Sequence, residues 1–495
     1  MELRRMSPDK RNSCGLPALA GKLLAFLMLF TLNNGPCSSQ GESGTRKDET
    51  RYLLFQMFVP NVSQAAFPPQ GTVEQFAQDV VGRIGTTGDN HHKLGFCVGA
   101  ISFNQSDDEV RRLIAHSFAI GRKNNVAVAF HIDDQMFWEK RTDLLNNKAN
   151  IEWIDWVGTE CRGRRLDWGP QPMKAPPQLC LNSSAVKKAV TERAHLIATE
   201  VKREIDRLRI EGRQELFAGI FAGWESQVGH DYTTNRCTGF HALTNAGLNS
   251  KMSSAQCDAE LSKIVRDYIG LWSKNLAEAG IPRDKIYCHI ACTDQCLDAT
   301  PSASFAQKVG FAVPSVAFSN WYRPGFSTYP SEHALAQIIS EVKKSGGSRW
   351  ASAEGTNVVP SGVPGETTME SYLAMLFNHG AVMVNIFSWG IGGEAQKNNF
   401  FRLATENEEA LSAYRKFLSS APLKEQPRPA SQFSPERFQA KMRNIEAEAP
   451  AWVARTRRPD LLQSLMMKID ASIKAAHFQD ADKAADEVLK LLKTN

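Results

Sequence analysis

Two glutamates stand where apolar, strand-like runs end. Glu225 closes Leu216-Phe-Ala-Gly-Ile-Phe-Ala-Gly-Trp-Glu225, and Glu354 closes Trp350-Ala-Ser-Ala-Glu354; neither run holds another charge. A carboxylate placed where a buried strand opens into a loop is partly desolvated, and two such groups facing one cleft can divide acid and base roles. Further polar groups stand in similar runs: Gln56, His131 with Asp133 and Asp134, His289, and Asn320. Trp138, Trp224, Trp321 and Trp389 each fall at or just past a strand-like end, where indole rings offer flat apolar faces to sugar rings.

Such a set needs elements that bring distant segments together. From residue 52 to about 417, short β-rich runs alternate with longer amphipathic ones, the pattern of parallel strands joined by helices. The runs predict eight strands: Tyr52 to Val59, Leu94 to Ile101, Asn125 to Asp133, Leu216 to Glu225, Ile286 to Ala291, Pro314 to Asn320, Trp350 to Glu354, and Ala381 to Trp389. The clearest helix runs from Ser184 to about Glu211, with apolar residues every three to four positions. Others are expected over Asp107 to Arg122, Ala255 to Ala279, Ser331 to Lys344, Thr368 to Asn378 and Glu406 to Ser419. This α/β pattern predicts a (β/α)8 TIM-type barrel with long loops after strands three and four. An open doubly wound sheet is the alternative, and it lacks support from a Gly-rich phosphate loop after the first strand.

Side chains alternate across a strand, so each run divides into a helix-facing and an interior set. Ala127, Ala129, His131 and Asp133 are expected inside, as are Gly219, Phe221, Gly223 and Glu225, then Tyr287 with His289, and Asn385 with Phe387 and Trp389. The same rule puts Tyr52, Leu54, Gln56 and Phe58 on one face, and Ser352 with Glu354. A polar ring results near the strand ends, and in a barrel the C-terminal strand ends carry the active site. Two carboxyl groups across a sugar-sized cleft can cleave a glycosidic bond, one protonating the leaving oxygen while the other attacks carbon or activates water.

Over about residues 50 to 420 the chain resembles the large clan of (β/α)8 glycoside hydrolases that carry glutamates at the ends of strands four and seven. The resemblance implies that Glu225 is the general acid/base, that Glu354 is the nucleophile, and that the reaction is retaining rather than inverting. The clan carries Asn immediately before its acid/base residue, where this chain has Trp224. Gln56, His131, Asp133, Asp134, Trp138, Trp224, His289, Asn320, Trp321 and Trp389 are the expected substrate-binding residues, with no cofactor and no metal. Two alternatives use the same residues. One is a metal-dependent barrel hydrolase built on His131, Asp133, Asp134 and His289. The other is a carbohydrate-binding barrel without catalysis.

The remaining sequence bounds these readings. With 42% hydrophobic and 22% charged residues, the chain of 495 residues has ordinary globular composition. Basic residues followed by the apolar run Leu23 to Leu32 and small residues through Gln40 read as a signal peptide and leader over 1–40, implying a secreted or periplasmic protein. The run is short for a membrane span, and no stable span is expected after cleavage. Removing the leader lowers the formal charge from +5 to about +2, which gives no support to nucleic-acid binding. The expected partner is a carbohydrate substrate, and nothing in the sequence sets an oligomeric state.

Export permits disulfides, with Cys161 to Cys180 and Cys237 to Cys257 as loop pairs, while Cys97 and Cys288 read as buried thiols. Cys292 and Cys296 flank a short segment that reads as a small closed loop, with a metal half-site as the alternative. The organisation read from the sequence is a flexible segment over 41–50, a barrel over 51–420, a Pro-rich linker over 421–435 and a helical extension over 436–495.

Overall fold

The computed structural model describes residues 49–59, 71–166, 173–234, 236–291, 314–328, 332–355, 368–387, 408–425, 435–474 and 478–493. Eight strands form its central sheet: β1 (Arg51–Phe58), β2 (His92–Ile101), β3 (Ala127–Ile132), β4 (Phe217–Ala222), β5 (Ile286–Tyr287), β6 (Gly325–Thr328), β7 (Trp350–Gly355) and β8 (Ala381–Ile386). Every neighbouring pair is parallel, and β1 pairs with both β2 and β8. Parallel bridges from Tyr287 to Arg323 and from Ile290 to Phe326 join β5 to β6, so the sheet closes on itself. With helices between strands this is a (β/α)8 TIM barrel.

The helices cover the outside because their apolar stripes match the outward strand faces. Among them are α1 (Val73–Ile84), α2 (Asp107–Asn124), α3 (Ser184–Ile210), α4 (Ser254–Glu278), α5 (Glu332–Lys344), α6 (Met369–Asn378) and α7 (Glu408–Leu418). The first of these was not among the helices expected from periodicity. It starts at a capping box in which Thr72 and Gln75 satisfy each other's backbone N–H groups. The start of α2 uses Ser106 and Glu109 in the same way, with Asp107 and Asp108 in the first turn and Arg122 and Lys123 in the last, as the helix dipole favours.

Two apolar layers result. The larger lies between sheet and helices and includes Phe55, Phe96, Val98, Val128, Phe130, Ile220, Val384 and Ile386. The smaller fills the barrel and contains Tyr52, Leu54, Cys97, Ala127, Ala129, Phe221, Tyr287, Ala351, Ala353 and Met383. Gly99 on β2 makes room in this interior: a Cβ there would lie 2.7 Å from the Cβ of His131.

Three expectations are corrected. The run Pro314 to Asn320 is not the sixth strand; Pro314–Ala317 is a 3-10 turn, and β6 begins at Gly325. Ser352 does not share a face with Glu354. It pairs with Val384 and Phe326, and a bulge follows, since the next pairs are Gly355 with Ile386 and Glu354 with Ser327. The extra residue turns Ser352 outward, where its hydroxyl is 2.5 Å from Thr328 Oγ1, itself 2.6 Å from the Tyr372 hydroxyl on α6.

The third correction concerns the loop cysteines. Cys161, Cys180, Cys237 and Cys257 are free buried thiols, as are Cys97 and Cys288. The first three lie against separate local acceptors, the carbonyl of Gly163, the Asn182 side chain and the carbonyl of Thr238. Cys292 and Cys296 lie outside the described residues.

The chain divides into two compact units, one running through residues 44–299 and 303–427 and the other including 428–495. The second holds α8 (Pro435–Thr456), α9 (Pro459–Lys474) and α10 (Phe478–Leu492) around Met442, Ile445, Trp452, Leu462, Ile469 and Val488. No helix among the described residues is long and apolar enough to cross a membrane.

Candidate active site

The strand ends of β3, β4, β5, β6 and β7 converge at one mouth of the barrel. Glu225 lies just past β4, in a turn where Gly223 has φ 129° and Glu225 itself has φ 49°. A left-handed residue with a side chain is strained, and it persists where surrounding contacts fix it. Those contacts come from the turn after β3. Asp134 accepts the Trp224 N–H at 3.1 Å and the Ser226 hydroxyl at 2.6 Å, while Gln135 Nε2 donates to the Glu225 carbonyl at 3.0 Å. Asp133 holds that turn in shape by accepting the N–H groups of Gln135, Met136 and Phe137 at 2.9–3.0 Å.

Glu354 arrives from the bulge of β7 and is 8% exposed. One oxygen of each glutamate and one ring nitrogen of His289 lie within 4.8 Å of one another. The Trp224 indole N–H donates to Glu354 Oε2 at 3.1 Å, so the residue beside one glutamate orients the other. Its ring lies flat on His131 with centroids 4.0 Å apart.

Below the glutamates, His131 Nε2 lies 3.0 Å from His289 Nδ1, and His289 Nε2 lies 2.8 Å from Ser327 Oγ. Ser327 Oγ is in turn 2.8 Å from Glu225 Oε1. On the other side, His131 Nδ1 is 3.1 Å from Gln56 Oε1, which also accepts from Asn385 Nδ2 at 2.9 Å. Burial drives both histidines toward the neutral form, His289 down to about 3 and His131 well below its ordinary range, the latter helped by the charge of a protonated His289 and opposed by the Gly223 carbonyl. Burial also raises Asp133 to about 7, with Asp134 adding to it, and raises Asp134 to about 6.

The expected site residues thus separate. Glu225, Glu354, His131, His289, Gln56 and Trp224 come together. Asp133 and Asp134 are buried behind Glu225, where their oxygens hold backbone and Ser226, so they shape the turn instead of facing a cleft. Trp138 is 2% exposed and stacks on Phe103, centroids 4.1 Å apart, in the layer beneath the helices. Asn320 and Trp321 precede β6, which puts them at the opposite end of the barrel. The Trp321 ring there lies beneath Arg283 and Lys274. Trp389 lies outside the described residues.

Ser327 is the site residue that sequence reading missed. It sits in the four-residue run Gly325-Phe-Ser-Thr328, and a polar residue in a β-prone run after Pro324 was the signal available. Glu225, His289 and Glu354 are also the group among the described residues that could hold a metal ion. Ligation by His289 would require breaking its bond to Ser327 or to His131, since both ring nitrogens are already engaged. The metal set of His131, Asp133, Asp134 and His289 is not assembled, because both aspartates hold backbone.

No family model matches the chain, and no curated protein does. Solved structures that do match include the catalytic domain of a β-amylase from Paenibacillus polymyxa, at 9% identity and TM-score 0.47 over 77% of this chain and 99% of that one. A β-galactosidase from Marinomonas ef1 matches at 12% identity and TM-score 0.45, over 74% of this chain and 58% of that one. A D-psicose 3-epimerase matches at 10% identity and TM-score 0.35, over 74% of this chain and 99% of that one. Likeness at these identities says nothing about individual residues, and the site's own geometry carries the reading that follows.

Proposed function

We propose that the protein is a glycoside hydrolase acting on an oligo- or polysaccharide, with Glu225 as general acid/base and Glu354 as nucleophile. The observation that carries this reading is that one carboxylate oxygen of Glu225 lies within 4.8 Å of one of Glu354 at one barrel mouth. Retaining glycosidases hold their two carboxyl groups about 5–5.5 Å apart, while inverting ones leave about 6.5–9.5 Å for a water. The short spacing therefore favours retention.

In the proposed first step, Glu354 attacks the anomeric carbon while Glu225 protonates the departing glycosidic oxygen. A glycosyl ester on Glu354 forms and the leaving sugar departs as an alcohol. Water, deprotonated by Glu225, then attacks the anomeric carbon and breaks its bond to the Glu354 oxygen, which releases the sugar and restores both groups. Trp224 would favour the ionised form of Glu354 between turnovers, since an N–H donated to a carboxylate stabilises its charge. The leader over residues 1–40 is proposed to export the enzyme to where polymeric sugar is met.

Substituting each glutamate tests the assignment. Glu225→Gln and Glu354→Gln should each lower hydrolysis of an aryl glycoside or a glycan by at least about a hundredfold while the circular dichroism of the fold stays unchanged. Azide should restore turnover to Glu354→Ala and yield a glycosyl azide. A folded Glu225→Gln or Glu354→Gln variant with full activity would refute the assignment.

A further inference from the structure

A buried polar chain reaches Glu225 from inside the barrel, and its direction is set at the inner end. Gln56 Nε2 donates to the carbonyls of Met57 at 3.0 Å and Cys97 at 3.1 Å, so Gln56 Oε1 is left as an acceptor. Asn385 is fixed in the same way, since its Nδ2 donates to the Ala353 carbonyl at 2.8 Å as well as to Gln56 Oε1. His131 Nδ1 faces that same oxygen at 3.1 Å and must carry a hydrogen, because the other tautomer would point a lone pair at an amide oxygen.

From there each partner's role follows. A neutral His131 accepts at Nε2, so His289 Nδ1, 3.0 Å away, donates. A neutral His289 with its hydrogen on Nδ1 accepts at Nε2, and the Ser327 hydroxyl at 2.8 Å supplies its one hydrogen there. The Ser327 oxygen then faces Glu225 Oε1 across 2.8 Å with lone pairs only. That contact is a hydrogen bond when the carboxyl carries the hydrogen. Both histidines are 0% exposed, which favours neutral rings over an imidazolium beside a carboxylate.

We propose that Gln56, His131, His289 and Ser327 form a tautomer-locked hydrogen-bond chain that keeps the carboxyl of Glu225 protonated in the resting protein. The four are positioning residues, and they act on Glu225 through Ser327. A second feature agrees: two carboxylates within 4.8 Å repel when both are ionised, and Trp224 already serves the charge on Glu354. Among the described residues, the titratable and charged groups that face this arrangement include Glu354 from β7, His289 from β5 and His131 from β3. Behind the turn after β4 lie Asp133 and Asp134, with Arg164 acting on both aspartates. The protonation itself is independent of substrate; calling Glu225 the acid of a hydrolase rests on the proposed function.

Infrared difference spectroscopy of the full chain tests the protonation without any substrate. Near neutral pH, wild type minus Glu225→Gln should show the C=O stretch of a protonated carboxyl, because Asp133 and Asp134 are common to both proteins and cancel. Raising the pH should bleach this band in the difference against the matching Glu225→Gln form, where Asp133 and Asp134 cancel at every pH, and the midpoint is read from that difference. Ser327→Ala should move the bleaching midpoint down by about one pH unit, since the neutral carboxyl loses its acceptor, and Ser327→Thr should restore it.

An ionised-carboxylate signal alone in the difference spectrum would overturn the proposal. So would an upward midpoint shift in Ser327→Ala, the sign expected if the serine donates to a carboxylate. If the protonated band is present but neither glutamate variant affects glycan hydrolysis, the hydrolase reading fails and the locked chain stands.

Discussion

Trp224 does two jobs with two parts of one side chain. The ring covers His131 face to face, while the N–H reaches across the barrel mouth to Glu354. In the clan that the chain resembles this position is Asn, which cannot supply the stacked face. The two jobs are separable by substitution. Trp224→Phe keeps an aromatic ring over His131 and removes the donor from Glu354. A donor lost from an ionised carboxylate raises its pKa, so the acidic limb of the kcat/KM profile should move to higher pH by about one unit. The basic limb, governed by Glu225 in the proposed mechanism, should stay in place. A pH–rate profile of the variant on an aryl glycoside checks this, and an acidic limb that does not move would remove Trp224 from the account of Glu354.

The turn after β3 is the element that fixes Glu225, and its two aspartates act on structure through their protonation. Burial raises Asp134 from the ordinary 3.8 to about 6, so the folded protein binds that proton more tightly than the unfolded chain. Its contribution to stability therefore falls as pH climbs through the window from about 4 to 6. An asparagine side chain in its place would have no such slope, could still accept from the Trp224 N–H, and could donate to Ser226. Asp134→Asn should thus gain stability relative to wild type between pH 4 and pH 8 by on the order of 1–3 kcal/mol, read from urea midpoints at the two pH values. A difference that stays constant with pH would refute this account of Asp134.

The same elements show why alternation located some side chains and misplaced others. In β3 the bulky Val128, Phe130 and Ile132 alternate with Ala127, Ala129 and His131, and Ala129, His131, Phe221, Tyr287 and His289 face inward as their order requires. In β7, Ala-Ser-Ala reads alike on both faces, so the bulge that turns Ser352 out and keeps Glu354 in leaves no mark on the pattern. In β6, four residues with a glycine at the start were outweighed by the longer apolar run before them, and Ser327 went unseen as a result.

Closure of the barrel is what assembles the site at the scale of the whole molecule. The backbone bonds from Ile290 N–H to Gly325 at 3.0 Å and from Ser327 N–H to Ile290 at 2.9 Å lock β6 beside β5 and set Ser327 between His289 and Glu225. All the groups invoked in the mechanism belong to the unit that ends at Pro427. The apolar clusters agree with that division. Among the described residues, the two barrel clusters draw on none beyond Leu423, and the helical cluster of Met442, Trp452, Leu462 and Val488 draws on α8, α9 and α10.

A unit with its own core can fold by itself. A chain ending at Pro427 should therefore retain near-ultraviolet circular dichroism and a cooperative urea transition, and should hydrolyse any substrate of the full chain with unchanged kcat/KM. A separate peptide covering 435–495 should show helical circular dichroism. Loss of cooperative unfolding in the shortened chain would mean that the barrel depends on the helical unit. A folded but inactive one would mean that the helices contribute to substrate binding.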